Sequence, residues 1–315
     1  MSGVAAGVAA IQVAVFVLLS PILIGVTRQV RARIEGRVGA GVWQPWRDLR
    51  KLFTKQPVRS NSSSWILRIG PVVLMVSSVM LSVLVPLAST ISAPLIPGDL
   101  FVVVSVLLIG AIALALVGLD GGTAFGGMGS SRHMTVLALV EPTILLAVYA
   151  LSLASGSSNL DVIVAGRLAA PAEIVSPVGV LAMVALVIAV LAETGRLPVD
   201  NPSTHLELTM IHEAMLIESS ARDLAWLELG SWIKLTVLLG LVANLVLPWG
   251  VATDASPVAL AVGVVSVVAK VLLLGVLLSV TEIFLAKVRL FRVPELLAGS
   301  FVLAFLAVAV SAVVS

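Results

Sequence analysis

Residues 100–119 read LFVVVSVLLIGAIALALVGL, twenty positions without a charged side chain, between Asp99 and Asp120. The hydrocarbon core of a bilayer is about 30 Å thick and takes about 20 apolar residues in a helix, so this run predicts a membrane crossing. Seven further runs of comparable length, bounded by charge, Pro or Gly, lie at roughly 4–27, 69–92, 134–154, 176–193, 230–248, 257–281 and 296–314. Eight spans use up more than half of the 315 residues. The expected fold is an all-α integral membrane protein, a single polytopic domain with about eight transmembrane helices. The first span has no Lys or Arg ahead of it, so it is expected to be retained and not cleaved as a signal peptide.

Composition supports the same class. Apolar residues make up 59% of the chain and charged residues 11%, against about 45–50% and 25% in soluble domains. So little charge disfavours a soluble enzyme, a disordered chain and nucleic-acid binding. With no cysteine, the chain offers no thiolate zinc site and no iron–sulfur ligation, and a redox cofactor would have to be carried by a partner. Gly121, Gly122, Gly126, Gly127 and Gly129 crowd the connection after the third span. No Gly-Lys-Ser/Thr ending follows them, so they read as a turn and not as a phosphate loop.

The cations set the expected orientation, because Lys and Arg are retained on the cytoplasmic side. With the N-terminus outside, sixteen of the nineteen fall in inside segments, ten of them between Arg28 and Arg68. Only Arg167 falls in an outside loop, while Lys234 and Lys270 lie within spans. The even span count then puts both termini on the outer face.

Two inside segments, 28–68 and 194–229, are the expected docking surfaces. In the first, WQPWRDLRKLFTK places Trp46, Leu49, Leu52 and Phe53 at helical spacing, with Arg47, Arg50, Lys51 and Lys55 around the other side. That pattern predicts an amphipathic helix lying in the membrane interface, and composition leaves open whether it is a lipid anchor or a docking surface. The second holds Asp200, Glu207, Glu213, Glu218, Asp223 and Glu228 against Arg196 and Arg222. Asn201-Pro202 and Thr204 with Glu207 fit a helix start, and a helix over 203–219 would align Glu207 with Glu218. His212-Glu213 lacks the second His of a zinc-protease motif. Carboxylates mixed with Leu206, Met210, Ile211 and Met215 are expected to be partly buried, which raises a carboxyl pKa toward neutrality.

Within the spans, Glu141 is followed by Pro142, Glu193 closes the fifth span, Lys234 opens the sixth, and Lys270 and Glu282 lie in the seventh. An ionised side chain at the bilayer centre costs at least about 2.5–3.5 kcal/mol, so Glu141 and Lys270 should find polar partners. A proton path and a structural ion pair are both open readings, and Lys234 and Glu282 could also snorkel toward the span ends.

These residues resemble the eight-span subunit joining the membrane and peripheral arms of respiratory complex I, and its relative in group 4 nickel–iron hydrogenases. The first segment carries Arg28, Gly36-Arg37-Val38-Gly39, Gln44-Pro45, Asp48 and Lys51-Leu52-Phe53; the second carries Glu193, Thr194, Arg196, Pro198, Asp200, Glu207 and Leu208. Thr27 replaces the family's first Glu, and Ser203 and His205 stand where complex I usually has carboxylates. The run LPVDNPSTHLELTMIHEAM is more similar to the hydrogenase branch, as in formate hydrogenlyase and hydrogenase 4 type complexes.

The resemblance implies a multi-pass subunit of a prokaryotic cytoplasmic membrane, with no catalytic centre and no cofactor of its own. Implied partners are a nickel–iron large subunit and iron–sulfur subunits in a peripheral arm, and antiporter-like subunits in the membrane. Glu141, Glu193, Arg196, Asp200, Glu207, Glu213, Glu218 and Lys270 would carry proton coupling, Arg196 by holding a carboxylate of the acidic segment ionised. Arg28, Arg37, Gln44, Trp46, Asp48, Lys51, Phe53 and His205 would face the docked arm. The alternative is a complex I type subunit lining a quinone chamber.

Overall fold

The computed structural model describes residues 2–59, 63–91, 98–200, 210–254 and 256–314. Their regular structure is helical: α1 (Ser2–Ile34), α2 (Gln44–Thr54), α3 (Ile66–Leu84), α4 (Leu100–Asp120), α5 (Ala124–Ser155), α6 (Leu160–Ala169), α7 (Pro177–Glu193), α8 (His212–Leu216), α9 (Ala221–Val246), α10 (Pro257–Phe284) and α11 (Val293–Val314). Seven of these, α1, α3, α4, α5, α9, α10 and α11, are long and apolar enough to cross a membrane. The 17-residue α7 rises about 26 Å, slightly less than the hydrocarbon thickness, and stands where the remaining span was expected.

Helix ends depart from the apolar runs for local reasons. α1 continues past its apolar stretch, so Arg28, Arg31 and Arg33 ride on helix and not on a loop. It stops where Gly36 takes a left-handed φ of 74° and the N–H groups of Gly36 and Arg37 bond back to Arg33 and Ala32, a glycine cap. α3 stops at Leu84, short of the expected end near 92, because Pro86 cannot continue a helix and restricts the residue before it. The carbonyls freed there are held by two amides. Gln12 Nε2 donates to Ser82 O at 2.6 Å and Val85 O at 2.9 Å, and Asn244 Nδ2 donates to Pro86 O at 2.9 Å and Leu87 O at 2.7 Å. Without water, backbone groups need such internal partners.

One expectation is corrected. The helix over 203–219 is not continuous: the described part is helical only over His212–Leu216, and Glu218 lies beyond it. Asp200 Oδ2 accepts from His212 N at 3.0 Å and Ile211 N at 3.2 Å, which starts α8 there. His205 and Glu207 fall outside the described residues. The expected amphipathic α2 is present, and part of its apolar face packs on the protein. Leu49 is buried, and Phe53 meets Trp226 of α9 edge-on, with ring centroids 5.0 Å apart.

α9 is the hub. It packs on α1, α2, α3, α7 and α10, with 89% of its most apolar window buried. Small residues permit this: a Cβ at Gly230 would press on Leu74 and Met75, and one at Gly240 on Phe16 and Leu87. Arg167, in the connection expected outside, is buried on α6, its Nε donating to Leu245 O of α9 at 2.7 Å.

Charged clamps tie the connections at the Arg-rich end to the helices and to one another. Arg59 meets Asp223 at the start of α9 through two bonds of 2.7 and 2.8 Å, and that hydrogen bonding raises the Arg59 pKa further above its ordinary value. Beside it, Ser220 Oγ donates to Val58 O at 2.7 Å and accepts from Val58 N at 2.8 Å. Asp200 Oδ1 receives Lys287 Nζ at 3.0 Å, and Val288 N donates to Pro198 O at 3.0 Å. A hydrogen-bonded charge pair of this kind contributes about 1–3 kcal/mol. Asp223→Asn should therefore speed tryptic cleavage after Lys55 and Arg59 about tenfold without unfolding the bundle; unchanged protection would show that the clamp does not hold the segment.

Candidate functional site

At the Arg-rich end, α1, α9 and the segment following α7 enclose a cavity of about 350 Å³. Helical spacing supplies its walls. Residues 24, 27, 28 and 31 fall on one face of α1, with Glu35 in the turn just after it, and 228, 231, 232 and 235 on one face of α9. Arg28, Arg31, Arg37 and Arg196 line it together with Glu35, Glu213, Glu228, Glu282 and His212. The charges are internally paired. Arg31 meets Glu35 at 3.0 Å, Arg37 also contacts Glu35, Arg196 meets Glu282 at 3.4 Å, and the Arg28 guanidinium lies 5.8 Å from the Trp232 ring centroid.

His212 is neutral near pH 7. Burial first, and then Lys234 and Arg196, bring its pKa down to about 4 against the opposing pull of Asp200. Burial lowers the Arg196 pKa as well, with Glu282 acting against it.

Inward from the cavity, α9 continues the stripe from Glu228 through Ser231 to Lys234. Lys234 Nζ lies 3.0 Å from Glu193 Oε1, with side chains only 5% and 1% exposed. Glu141 on α5 is buried, has Glu193 and Lys234 as its charged neighbours, and keeps one oxygen, Oε1, without a hydrogen-bond partner among the described residues. His133, on the same helix and also buried, has Lys234 and His212 for neighbours, and its Nε2 is likewise unpartnered. Buried polar atoms are rarely left in that state, so this is a site with unused hydrogen-bonding capacity. It contains one cation paired with Glu193 and a second carboxylate, Glu141, in the same neighbourhood.

The structure thus brings Glu141 and Glu193 together and places Glu213 on the cavity wall. It assigns other expected residues elsewhere. Among the described residues Arg196 pairs with Glu282. Asp200 is a clamp, Glu218 packs beside Gly121 at the end of α4, and Lys270 binds Asn244 Oδ1 at 3.1 Å. Of the expected docking residues, Arg28 and Arg37 turn into the cavity. Gln44 bonds Asp48 at 2.8 Å, Trp46 is half-buried and Lys51 exposed. Lys234 and Glu282 do not snorkel; both are buried. Ser231 and His133 were not singled out from sequence, and Glu228 was read only as one carboxylate of the acidic segment. The spacing Glu228, Ser231, Lys234 was a visible signal, hidden because the apolar run begins after Glu228 while the helix begins at Ala221.

Among the described residues no three His, Asp or Glu side chains converge as a metal site requires.

The sequence model of the family described as NADH dehydrogenase matches residues 7–313. Hydrogenase-4 component C of Escherichia coli K12 is 36% identical over 297 residues, covering 94% of this chain and 92% of its own. Formate hydrogenlyase subunit 4 of the same organism is 31% identical over 298 residues, covering 94% and 95%. A subunit of the NADH-quinone oxidoreductase of Salinibacter ruber is 27% identical over 203 residues, covering 61% and 58%. A chain in the structure of an archaeal membrane-bound sulfane sulfur reductase superimposes with a TM-score of 0.80 over 98% of this chain and 99% of its own, at 19% identity, which shows a shared fold. With the family match running almost end to end and two full-length relatives above 30% identity, this multi-pass integral membrane protein belongs to the NADH dehydrogenase family.

Proposed function

We propose that the protein is the membrane anchor and proton-coupling subunit of an energy-converting hydrogenase complex in a prokaryotic cytoplasmic membrane. Its greater likeness to the hydrogenase-4 and formate hydrogenlyase subunits supports that branch. The carrying observation is the buried Lys234–Glu193 pair, with Glu141 beside it, beneath a charged cavity at the Arg-rich end. In this reading the peripheral arm, with its nickel–iron large subunit and iron–sulfur subunits, docks over the cavity mouth and the exposed face of α2. Electron transfer in the arm changes the charge near Glu213, Glu228 and His212. When Glu193 takes up a proton, its hold on Lys234 weakens and Glu141 becomes the better partner. Positive charge then shifts laterally, toward antiporter-like subunits in the membrane. The cavity's charged walls count against the quinone-chamber alternative, since pockets for such ligands are predominantly apolar.

Two experiments test this reading. In the assembled complex, Glu141→Gln should reduce coupled proton movement at least tenfold while the arm stays attached; full coupling in this variant would refute the proposal. Removing one partner of a buried ion pair costs about 3–5 kcal/mol, whereas replacing both with apolar groups is often neutral. Lys234→Met alone should therefore destabilise the chain, and Lys234→Met with Glu193→Leu should restore assembly but not proton movement. A double variant that pumps normally would reduce the pair to a structural role.

A further inference from the structure

His133 is a buried titratable side chain that the coupling steps above leave idle. It belongs to the face of α5 on which α8 rests. A Cβ at Gly129 would come within 2.8 Å of Ala214 Cβ and 3.0 Å of Ile211 O, and the Arg132 guanidinium donates to Met210 O at 3.2 Å. His133 lies one turn deeper than Gly129 on that face. Its titratable neighbours are His212, on the cavity wall, and Lys234 of the buried pair. The residue is only 8% exposed, and its ring hydrogen-bonds the backbone carbonyl of Ala111 in α4. Because Nε2 has no partner among the described residues, that bond is donated by Nδ1–H. The tautomer is thereby fixed, and Nε2 of the uncharged ring carries a lone pair with nothing to accept. The Lys234 ammonium is also underused among the described residues, with one of its three N–H donors on Glu193 Oε1. Ser231 Oγ, one turn above Lys234 on the cavity wall, is buried and unpartnered too. Open donors and acceptors grouped beside a charged cavity are where internal water is held. Anchoring α5 on α4 needs only the Nδ1 donor, and that role leaves the open Nε2, a destabilising feature, without a reason.

We infer that His133 is the residue through which a proton from the cavity reaches the Lys234–Glu193 pair. The proton arrives past His212, by way of water, and adds to the Nε2 lone pair, while the imidazolium keeps its Nδ1–H bond to Ala111. Nε2–H then gives the proton through water to Lys234 Nζ, as Nζ gives one of its own to Glu193 Oε1. Only N–H and O–H bonds change, and no electron is transferred. His133 returns to the same tautomer, Lys234 is again an ammonium, and Glu193 is neutral. Because Nδ1 stays on Ala111, the ring need not turn over, and Nε2 serves both as acceptor and as donor. The inference rests on the proton-coupling reading and supplies the source of the proton that Glu193 takes up in it.

The test uses the assembled complex. His133→Asn keeps an N–H donor near the position of Nδ1, so it should hold the Ala111 bond and the peripheral arm, but it has no group that takes up a proton. Coupled proton movement should fall at least tenfold. His133→Gln, which brings a carboxamide near the position of Nε2, should not restore it. Full proton movement in His133→Asn beside its loss in Glu141→Gln would overturn the role of His133 and leave the coupling reading standing; full movement in both variants would refute both. A second measurement needs no variant. In heavy water the C2 hydrogen of an imidazole exchanges only where water reaches the ring and protonates it, so mass spectrometry of the native complex should find His133 exchanging at a rate comparable with His212. An unexchanged His133 would overturn the inference even if the Asn variant failed to assemble.

Discussion

Lys234 and Glu193 meet at 3.0 Å where almost no solvent reaches, and a charge in that position exists only while its partner does. Removing two ions from water carries a large desolvation cost that their attraction offsets only in good geometry. That condition fixes much around it. α7 must end beside α9 with Glu193 facing inward, and α9 must stay straight and close-packed through Gly230 and Gly240. α5 must bring Glu141 into the same interior. The helices nearest this pair are the most buried, while α10 and α11 remain open on their outward sides. The bundle is organised around a charge separation and not around the greatest possible apolar burial.

The transmembrane architecture was legible because it follows from length and composition alone. A run such as 100–119 can satisfy its backbone only as a helix once it is in lipid. The ends were less legible, since nothing in an Arg-rich stretch says whether a helix stops at Thr27 or continues to Ile34; Gly36 was the available sign. Glu141 and Glu193 could be picked out because a carboxylate in an apolar run is costly. Their grouping with Lys234 could not be read, as it depends on how α5, α7 and α9 pack. The same holds for the clamps. Arg196 finds Glu282 across 86 residues of sequence and Asp200 finds Lys287 across 87, and local spacing carries no trace of either. α2 illustrates the converse: its two faces were plain in the sequence, but whether lipid or protein covered the apolar one was a tertiary fact.

The cavity has a mixed character that suits an intermediate between arm and membrane. Its four arginines and four glutamates nearly cancel, so it neither attracts nor repels ions strongly at long range. Locally, Glu35 and Glu282 each sit against an arginine, Glu35 against Arg31 and Arg37 just past the end of α1 and Glu282 against Arg196 just past the end of α7. His212, neutral near pH 7 and bordered by Asp200, Arg196 and Lys234, lies between the cavity and the buried pair.

At the other end of the bundle, the break after α3 is held by Gln12 and Asn244. Both are carboxamides, which neither gain nor lose a proton across the physiological range. Where a carboxylate or histidine there would extend a chain of exchangeable sites, these two side chains close the carbonyls of residues 82–87 with fixed dipoles. The four bonds that hold this break therefore do not depend on the protonation of the side chains that donate them.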